Sequence, residues 1–384
     1  MELATSLKGQ TVRNSVREVG INANHWYPVS WANMLKAGQI KPVMVWNQAI
    51  ALYRDTDGHA HALEDACPHK GVALHNGEVH GEHLVCPYHG WEFGTDGQCV
   101  SIPYFPKGQK LPCAQARSYP VREEYGIIWV FPGDSALAET APFPQISEYD
   151  DPRWTAIPIT GHFKAHFSIC NENTMDVFHG FLHKDLQGWF DPVLLSLKET
   201  DGSVCAQYRV NYQGWMSKFL GLSTEANGVT TRTVTVDYRY PHYHSSLEGI
   251  SSLHLMRLPV GPRETRSFSL LFLRLPLPRW LLDWIKPVLV PFILNFVFMK
   301  FLNQDVAMME SEQRTYDANR DRRYVEINPA IIALQRLVVR QYEQFMQQSS
   351  QLQSNRAGDF QGDIPLPRAI ISNQVESASD SSIN

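Results

Sequence analysis

The sequence has few cysteines and no excess of positive charge. Six cysteines in 384 residues are too few for the disulfide framework of a secreted protein. We therefore expect a reducing, cytoplasmic setting in which cysteines serve as thiols or metal ligands. Lys and Arg number 34 against 39 Asp and Glu, a formal net charge of −5. This balance argues against nucleic-acid binding, because the release of counterions from phosphates needs a cationic surface.

Long apolar runs are also missing. The longest, Pro287–Met299, has 13 residues and is interrupted by Asn295, whereas a membrane-spanning helix needs about 20. The first residues show no apolar run typical of a secretory signal. No G-x-G-x-x-G motif follows a predicted strand, so no nicotinamide or flavin site of that type is indicated.

The chain is long enough for two domains, and its patterns predict the α+β class. Residues 24–135 read as short strands separated by turns and predict an all-β domain, preceded by an N-terminal arm, 1–23. Residues 136–350 contain alternating segments such as Val229–Tyr240 together with helical patterns, which predict an antiparallel sheet with helices. The polar segment 351–384 is expected to be a partly disordered tail.

Two segments of the first domain predict individual strands. Val43–Arg54 reads as one strand that leads into the turn at Asp57-Gly58. Tyr125–Phe131 is a continuous apolar run ended by Pro132-Gly133, which predicts a buried strand.

A first group of candidate metal ligands lies in this domain. Cys67 and His69 form C-x-H, and after sixteen residues Cys86 and His89 form C-x2-H. Two thiols and two imidazoles fit either a tetrahedral zinc ion or an iron–sulfur cluster. A Rieske [2Fe–2S] cluster needs two thiolates on one iron and two imidazoles on the other. Because each pair here supplies one ligand of each kind, the order favours the cluster.

A second group of candidate ligands follows in the second domain. His179 and His183 are spaced i and i+4, which places them on one face of a helix, close enough to share a metal. Asp176 borders the same face. By itself such a histidine pair is also found on polar helix edges, so the flanking residues matter.

Both groups resemble one family. CPHKGVAL and CPYHGWEF, with Gly71, Gly90 and Trp91, resemble Rieske domains, and the N-x-x-D-x-x-H-x3-H pattern starting at Asn173 resembles the iron site of Rieske non-haem iron oxygenases. The resemblance extends from about Asn24 to Glu312. It implies an N-terminal all-β Rieske [2Fe–2S] domain followed by a helix-grip catalytic domain.

The absence of two cysteines indicates the branch of the family. Respiratory Rieske proteins resemble one another in carrying a disulfide between the cluster loops, and the corresponding residues here are Val72 and Tyr88. The resemblance therefore points to the oxygenase type. The spacing of the second group looks like that of the monooxygenase and demethylase branch.

The resemblance also implies roles for individual residues. Cys67, His69, Cys86 and His89 would bind the [2Fe–2S] cluster. For the mononuclear Fe(II), it implies a third ligand from a downstream helix, and Gln304-Asp305 matches that stretch. The ligands would be His179, His183 and Asp305, with Asp191 and Glu310 as alternatives to Asp305.

Asp176 has a different implied role. In the family the corresponding residue lies between a cluster histidine of one subunit and an iron-ligating histidine of the next. The resemblance therefore implies a hydrogen-bonded bridge from His89 or His69 through Asp176 to His179 across a subunit interface, since a carboxylate that accepts from an imidazole fixes the ring.

The function implied by this resemblance is that of an oxygenase component. It would use O2 and electrons from a ferredoxin or an NAD(P)H-dependent reductase to oxidise, most simply to monooxygenate, a hydrophobic cyclic or aromatic small molecule. A homotrimer is implied as well. The alternative is a Rieske-type electron-transfer protein without oxygenase activity.

The stretch 275–302 is rich in apolar and aromatic residues. Two interpretations stay open at this point. It is either a buried helix leading up to Asp305, or a hydrophobic entrance or membrane-surface patch that makes the protein peripheral to a membrane.

Overall fold

The structure is a computed structural model that describes residues 16–184, 189–213, 229–247, 249–274, 279–292, 294, 298–322 and 324–359. Most of the predicted arm, part of the stretch 275–302 and most of the predicted tail lie outside the described residues. The chain divides into two compact units, Met1–Phe345 and Met346–Asn384. All the predicted site residues lie in the first unit.

The N-terminal half of this unit is built from three small antiparallel sheets. Their strand orders are β1-β11-β10, β2-β3-β4-β9 and β5-β6-β7-β8. The strands are β1 Tyr27–Trp31, β2 Ile40–Val45, β3 Gln48–Arg54, β4 Ala60–Glu64, β5 Glu78–His80, β6 His83–Val85, β7 Glu92–Phe93, β8 Cys99–Ser101, β9 Ser118–Tyr119, β10 Val121–Glu124 and β11 Ile127–Val130. The predicted strand within Tyr125–Phe131 is present as β11, and all of its residues are buried.

The prediction of one strand over Val43–Arg54 is wrong. The chain reverses at Trp46 and Asn47, whose φ angles of 45° and 63° are both positive. Two consecutive positive φ angles make the tight turn that joins β2 to β3 as a hairpin. Hydrogen bonds to another part of the chain stabilise the turn, because the amides of Trp46 and Asn47 donate to the carbonyls of Pro259 and Val260.

The second half is built around one antiparallel sheet of seven strands, in the order β12-β18-β17-β16-β15-β14-β13. The strands are β12 Thr155–Phe163, β13 Trp189–Glu199, β14 Ser203–Gln213, β15 Val229–Arg239, β16 His242–Leu247, β17 Ser251–Gly261 and β18 Glu264–Leu273. The period-2 pattern of Val229–Tyr240 thus predicted β15 correctly. Strands plus helices in this half confirm the α+β class.

Four α-helices and a 3-10 helix among the described residues accompany this sheet. They are α1 Phe167–Met175, the 3-10 helix Val177–His183, α2 Arg279–Phe292, α3 Met299–Ala318 and α4 Pro329–Asp359. The first turns of α4 pack against the core, since Leu334, Leu337 and Val338 are almost fully buried. This helix continues to Asp359, into the segment predicted as a tail.

The two halves share a continuous apolar core. One cluster of buried side chains contains both Trp129 of β11 and Tyr238 of β15. Specific hydrogen bonds add to it. The Trp31 indole donates to Thr160 Oγ1 over 2.8 Å, and His242 Nε2 lies 2.9 Å from the carbonyl oxygen of Trp26.

The segment before β1 is anchored in the second half. Arg17 is 6% exposed, and its guanidinium donates to both carboxylate oxygens of Glu172 on α1 and to Ser168. It also donates over 2.9 Å to Glu312 on α3. A buried charge is stable only when paired in this way, so Arg17 ties the two helices together.

Candidate metal centres

Two loops of the first half have the same backbone conformation. The Cys67 amide donates to the Val72 carbonyl over 2.8 Å, and the Gly71 amide donates to the Cys67 carbonyl over 2.7 Å. In the second loop Gly90 donates to the carbonyl of Cys86 in the same way, over 3.1 Å. Gly71 and Gly90 have φ angles of 70° and 66°, a region where side chains are strained. These two loops, residues 67–72 and 86–91, are called the cluster loops below.

The cluster loops bring two thiols and two imidazoles together. Cys67 and Cys86 are each 3% exposed, whereas His69 and His89 are exposed, with ring centroids 4.7 Å apart. The His69 ring also stacks on Trp91 at 4.6 Å. The thiols therefore lie at the inner end of the group and the imidazoles at its outer end.

The thiols show that this group fits metal ions. Burial raises the pKa of Cys67 to about 11, and the neighbouring thiol of Cys86 adds to the increase. Two thiolates side by side in a buried place need compensating positive charge. The irons of a [2Fe–2S] cluster would supply this charge at the inner end, and the exposed imidazoles would bind the outer iron. All six cysteines are free.

The second group of candidate ligands is carried by two elements that lie far apart in the chain. Asp176 follows Met175, the last residue of α1. Its carboxylate accepts a hydrogen bond from the amide of Phe178 and so caps the next helix. His179 and His183 lie on that helix, which is a 3-10 helix and not the α-helix that their spacing predicts. Asp305 comes from α3.

These three side chains converge, and Asp305 is 6% exposed. Its Oδ1 lies 3.1 Å from His183 Nε2 and 3.7 Å from His179 Nε2, and the Asn173 amide donates to the same oxygen over 3.3 Å. One ligand atom from each of the three lies within 4.8 Å of the others. We call His179, His183 and Asp305 the iron triad.

Gln304 orients the His183 ring of the iron triad. His183 Nδ1 lies 2.8 Å from Gln304 Oε1, so in this orientation of the amide the ring carries its proton on Nδ1. A neutral His183 ring then points its unprotonated Nε2 at a carboxylate oxygen 3.1 Å away, and both atoms can bind a cation placed between them. Two histidines and one carboxylate are the ligand set of non-haem Fe(II) oxygenases, so this group fits the iron.

Aromatic side chains that the sequence analysis did not identify surround the iron triad. The ring of Phe301 stacks on His183 with centroids 3.8 Å apart, and Trp189 lies 5.2 Å from the same ring. Trp189 covers Gly180, where an added Cβ would lie 2.0 Å from the indole nitrogen. No local pattern indicates these contacts, because Phe301 and Trp189 come from other elements.

Asp176 lies beside the iron triad without belonging to it. Its half-buried carboxylate accepts from Asn328 Nδ2 over 3.3 Å. Burial lowers the pKa of His179, although the charges of Asp305 and Asp176 act in the opposite direction. An uncharged imidazole is the form that binds a metal.

The two carboxylates that the sequence offers as alternatives to Asp305 do not reach the histidines. Glu310 accepts a hydrogen bond from the Lys164 amide over 3.1 Å, and Asp191 is exposed on β13. Neither belongs to the group of converging ligand atoms found among the described residues. Of the three carboxylates, the structure brings only Asp305 to the two histidines.

Comparison with known proteins matches each half of the chain to a family description. The family description "Rieske [2Fe-2S] domain" matches residues 25–120, and "Vanillate O-demethylase oxygenase C-terminal domain" matches residues 163–344. A 4beta-methylsterol monooxygenase of Methylococcus capsulatus is 34% identical over 369 residues, which are 93% of this chain and 100% of that protein. The oxygenase component of dicamba O-demethylase from Stenotrophomonas maltophilia is 35% identical over 42% of this chain and 47% of its own.

The fold is also that of a solved structure. Dicamba monooxygenase bound to 3,6-dichlorosalicylic acid superposes with a TM-score of 0.70 at 23% identity, covering 84% of this chain and 98% of that one.

A Rieske cluster site and a two-histidine, one-carboxylate site on this fold define the oxygenase component of a two-centre iron enzyme. The chain belongs to the Rieske non-haem iron oxygenases. It is an oxidoreductase with a [2Fe–2S] cluster and a mononuclear iron, and it acts on a small molecule. Oxygenase components of this family receive electrons from a reductase or ferredoxin. No helix among the described residues is long and apolar enough to cross a membrane.

Proposed function

We propose that the chain monooxygenates a hydrophobic polycyclic substrate of the sterol class. The observation that carries the proposal is the similarity to a methylsterol monooxygenase over that protein's whole length. The apolar rings beside the iron triad, Phe301 and Trp189, support it, because a pocket lined by aromatic side chains favours apolar ligands.

The residue roles follow from the two groups of ligands. Cys67, His69, Cys86 and His89 would hold the [2Fe–2S] cluster, and the iron triad would hold Fe(II). When bound, the cluster supplies single electrons and the mononuclear iron supplies oxygen activation. The protein orients the ligands, as Gln304 does for His183.

Asp176 would act between two chains. Among the described residues, no hydrogen bond, ion pair or ring contact joins the cluster loops to Asp176 or to the iron triad, although the imidazoles at the tips of the cluster loops are exposed. We assign Asp176 as the acceptor for His69 or His89 of a neighbouring chain, next to His179 of its own chain. This arrangement requires an oligomer, and the family resemblance favours a homotrimer.

The iron triad can be tested by removing one ligand. We expect His183→Ala to lose the mononuclear iron and at least about a hundredfold in turnover, because a truncated ligand leaves the site incomplete. The Rieske electron paramagnetic resonance signal should be unchanged. His162→Gln is the matched control, since His162 is exposed and pairs with Glu264. Retained iron and turnover in His183→Ala would refute the assignment.

The substrate class is tested separately. With a reductase system present, methylated sterols should raise O2 uptake by the wild-type protein and yield products with the mass of one added oxygen. Benzoate-type acids such as dicamba serve as the comparison. Uptake stimulated by the acids and not by sterols would contradict the proposed substrate but leave the oxygenase assignment intact.

We also propose that α2 docks on a membrane from the cytoplasmic side. Its side chains are apolar on two faces. Val290 packs toward Ile157 and Leu271 of the sheet. On the other face Trp284 and Val288 are 79% and 76% exposed.

This second face suits a lipid surface. Trp284, Val288 and Phe292 are spaced by four residues and so lie along one side of the helix; we call them the α2 outer face. Large exposed apolar patches mark interaction sites, and a sterol-class substrate resides in membranes. Lys300, exposed at the start of α3, provides positive charge for anionic headgroups.

Flotation with liposomes tests this docking. Wild-type protein should float with anionic vesicles, and the double variant Trp284→Glu/Val288→Glu should lose most of this binding, because charges on the apolar face oppose insertion. Met34→Glu is the control, since Met34 is 61% exposed in the N-terminal half. Equal flotation of the double variant and the control would exclude α2 as the docking element.

A further inference from the structure

A second group of two histidines and one carboxylate lies on the opposite side of the seven-stranded sheet. His254 of β17 is three residues from Arg257, which reaches the Cys170 carbonyl on α1. Because side chains alternate along a strand, His254 points away from α1. The iron triad follows α1, so this second group is not part of it.

The geometry of the group is specific. His244 and His254 are direct cross-strand partners on β16 and β17, and their rings lie 4.4 Å apart. Glu148, from the segment before β12, reaches both of them, with oxygen–nitrogen distances of 3.2 Å to His254 and 3.8 Å to His244. One ligand atom from each residue lies within 4.8 Å of the others.

Burial and hydrogen bonding exclude nucleophilic catalysis by this group. The side chains of Glu148 and His254 are only 12% and 7% exposed. Ser252 donates to Glu148, but it is 2% exposed. A hydrolytic triad would need an accessible serine with the histidine between serine and acid. Here the Ser252 hydroxyl donates to Glu148 and lies 2.9 Å from His244 Nε2. Because Ser252 is almost fully buried, a substrate cannot reach it, and nucleophilic catalysis does not fit.

We propose that Glu148, His244 and His254 bind a divalent transition-metal ion such as Zn(II) at a site separate from both iron centres. Two imidazoles and a carboxylate are common ligands of this ion, with the fourth position left to water. The His244 side chain is 40% exposed, and its Nε2 lies 2.9 Å from Ser252 Oγ. Binding a shared ion would replace that contact. The bound ion would fasten the segment that carries Glu148 to β16 and β17.

The test uses the full chain loaded with cluster and iron. After equilibrium dialysis against micromolar Zn(II), the wild-type protein should hold one more zinc per chain than Glu148→Gln or His254→Gln, and zinc should raise its melting temperature by a few degrees. His162→Gln is the control, because this single histidine–glutamate pair on the sheet lacks a third ligand. It should bind zinc like the wild type.

Two further variants make the outcome decisive. Ser252→Ala keeps all three ligand side chains and should retain the zinc, so its behaviour separates ligand loss from general destabilisation. His183→Ala should also retain the extra zinc. The proposal is overturned if Glu148→Gln and His254→Gln bind zinc as the wild type does. It is also overturned if His183→Ala loses the extra zinc, because the ion would then occupy the iron triad.

Discussion

At the scale of residues, the side-chain amide of Gln304 determines which ring nitrogen of His183 is available to bind a metal. Gln304 lies next to Asp305 in the chain, so α3 supplies both the carboxylate of the iron triad and the group that orients one of its histidines. Such partners of a metal ligand fix the tautomer and raise the metal affinity.

This contact predicts the behaviour of two variants. Gln304→Leu should weaken iron binding about 10- to 100-fold, because His183 Nδ1 would lose its acceptor. Gln304→Glu keeps an acceptor oxygen and should bind iron more tightly than Gln304→Leu. The measurement is iron retained against a chelator, with the Rieske absorbance as a check on folding. Equal iron loss from both variants would show that the hydrogen bond does not orient the ring.

The sequence predicts individual residues well where a motif is local. Cys67, His69, Cys86 and His89 lie in two short loops, and the structure brings them together as the spacing suggests. Phe301 and Trp189 could not be predicted. Their contacts with His183 depend on how separate elements pack, and no spacing rule describes that.

At the scale of elements, the 3-10 helix Val177–His183 depends on the close packing of the Trp189 side chain against it. The Trp189 indole donates to the Val177 carbonyl over 3.1 Å and lies against Gly180, where no side chain fits. Any larger residue must push β13 away from the helix that carries both histidines.

Gly180→Ala should therefore destabilise the protein by about 1–3 kcal/mol, the usual cost of overpacking, and lower its iron content. Gly202→Ala is the matched control, because no atom lies within 4 Å of a Cβ added there. Chemical unfolding and iron analysis measure the two effects. Identical results for the two variants would mean that Trp189 moves aside without consequence for the site.

Other elements show why local patterns are incomplete. Val43–Arg54 is rich in strand-forming residues, yet it turns at Trp46 and Asn47 without glycine. Asn47 tolerates a positive φ, and the amides of both residues bond to the carbonyls of Pro259 and Val260. The seven-stranded sheet is easier to predict, since strands such as β15 alternate with a period of two. For the stretch 275–302 the sequence left two interpretations open, and α2 is packed on one face and exposed on the other.

At the scale of the whole molecule, the proposed transfer of electrons between chains can be tested by mixing defects. A Cys86→Ser chain should lack the cluster, and a His183→Ala chain should lack the mononuclear iron. Each should be inactive alone. Co-expressed with different tags and purified as mixed oligomers, they should recover substrate-dependent O2 uptake, because an intact cluster of one chain then faces an intact iron site of the other.

The control places Asp176→Asn in the chain that retains the iron triad. If Asp176 connects the centres, this change should remove most of the recovered activity while leaving the iron content unchanged. Mixed oligomers that stay inactive would instead indicate transfer within one chain and would contradict the proposed bridge.

The anchoring of Arg17 has a consequence for how this chain is made. Arg17 precedes the whole Rieske domain, but its partners Glu172 and Glu312 follow it by 155 and 295 residues. During synthesis Arg17 and the Rieske half emerge before the catalytic half. Arg17 therefore lacks its full set of partners until both α1 and α3 have left the ribosome. Contacts so distant in sequence form late. The catalytic half is therefore completed by Arg17, which precedes the Rieske domain, and a fragment beginning after residue 162 would lack it.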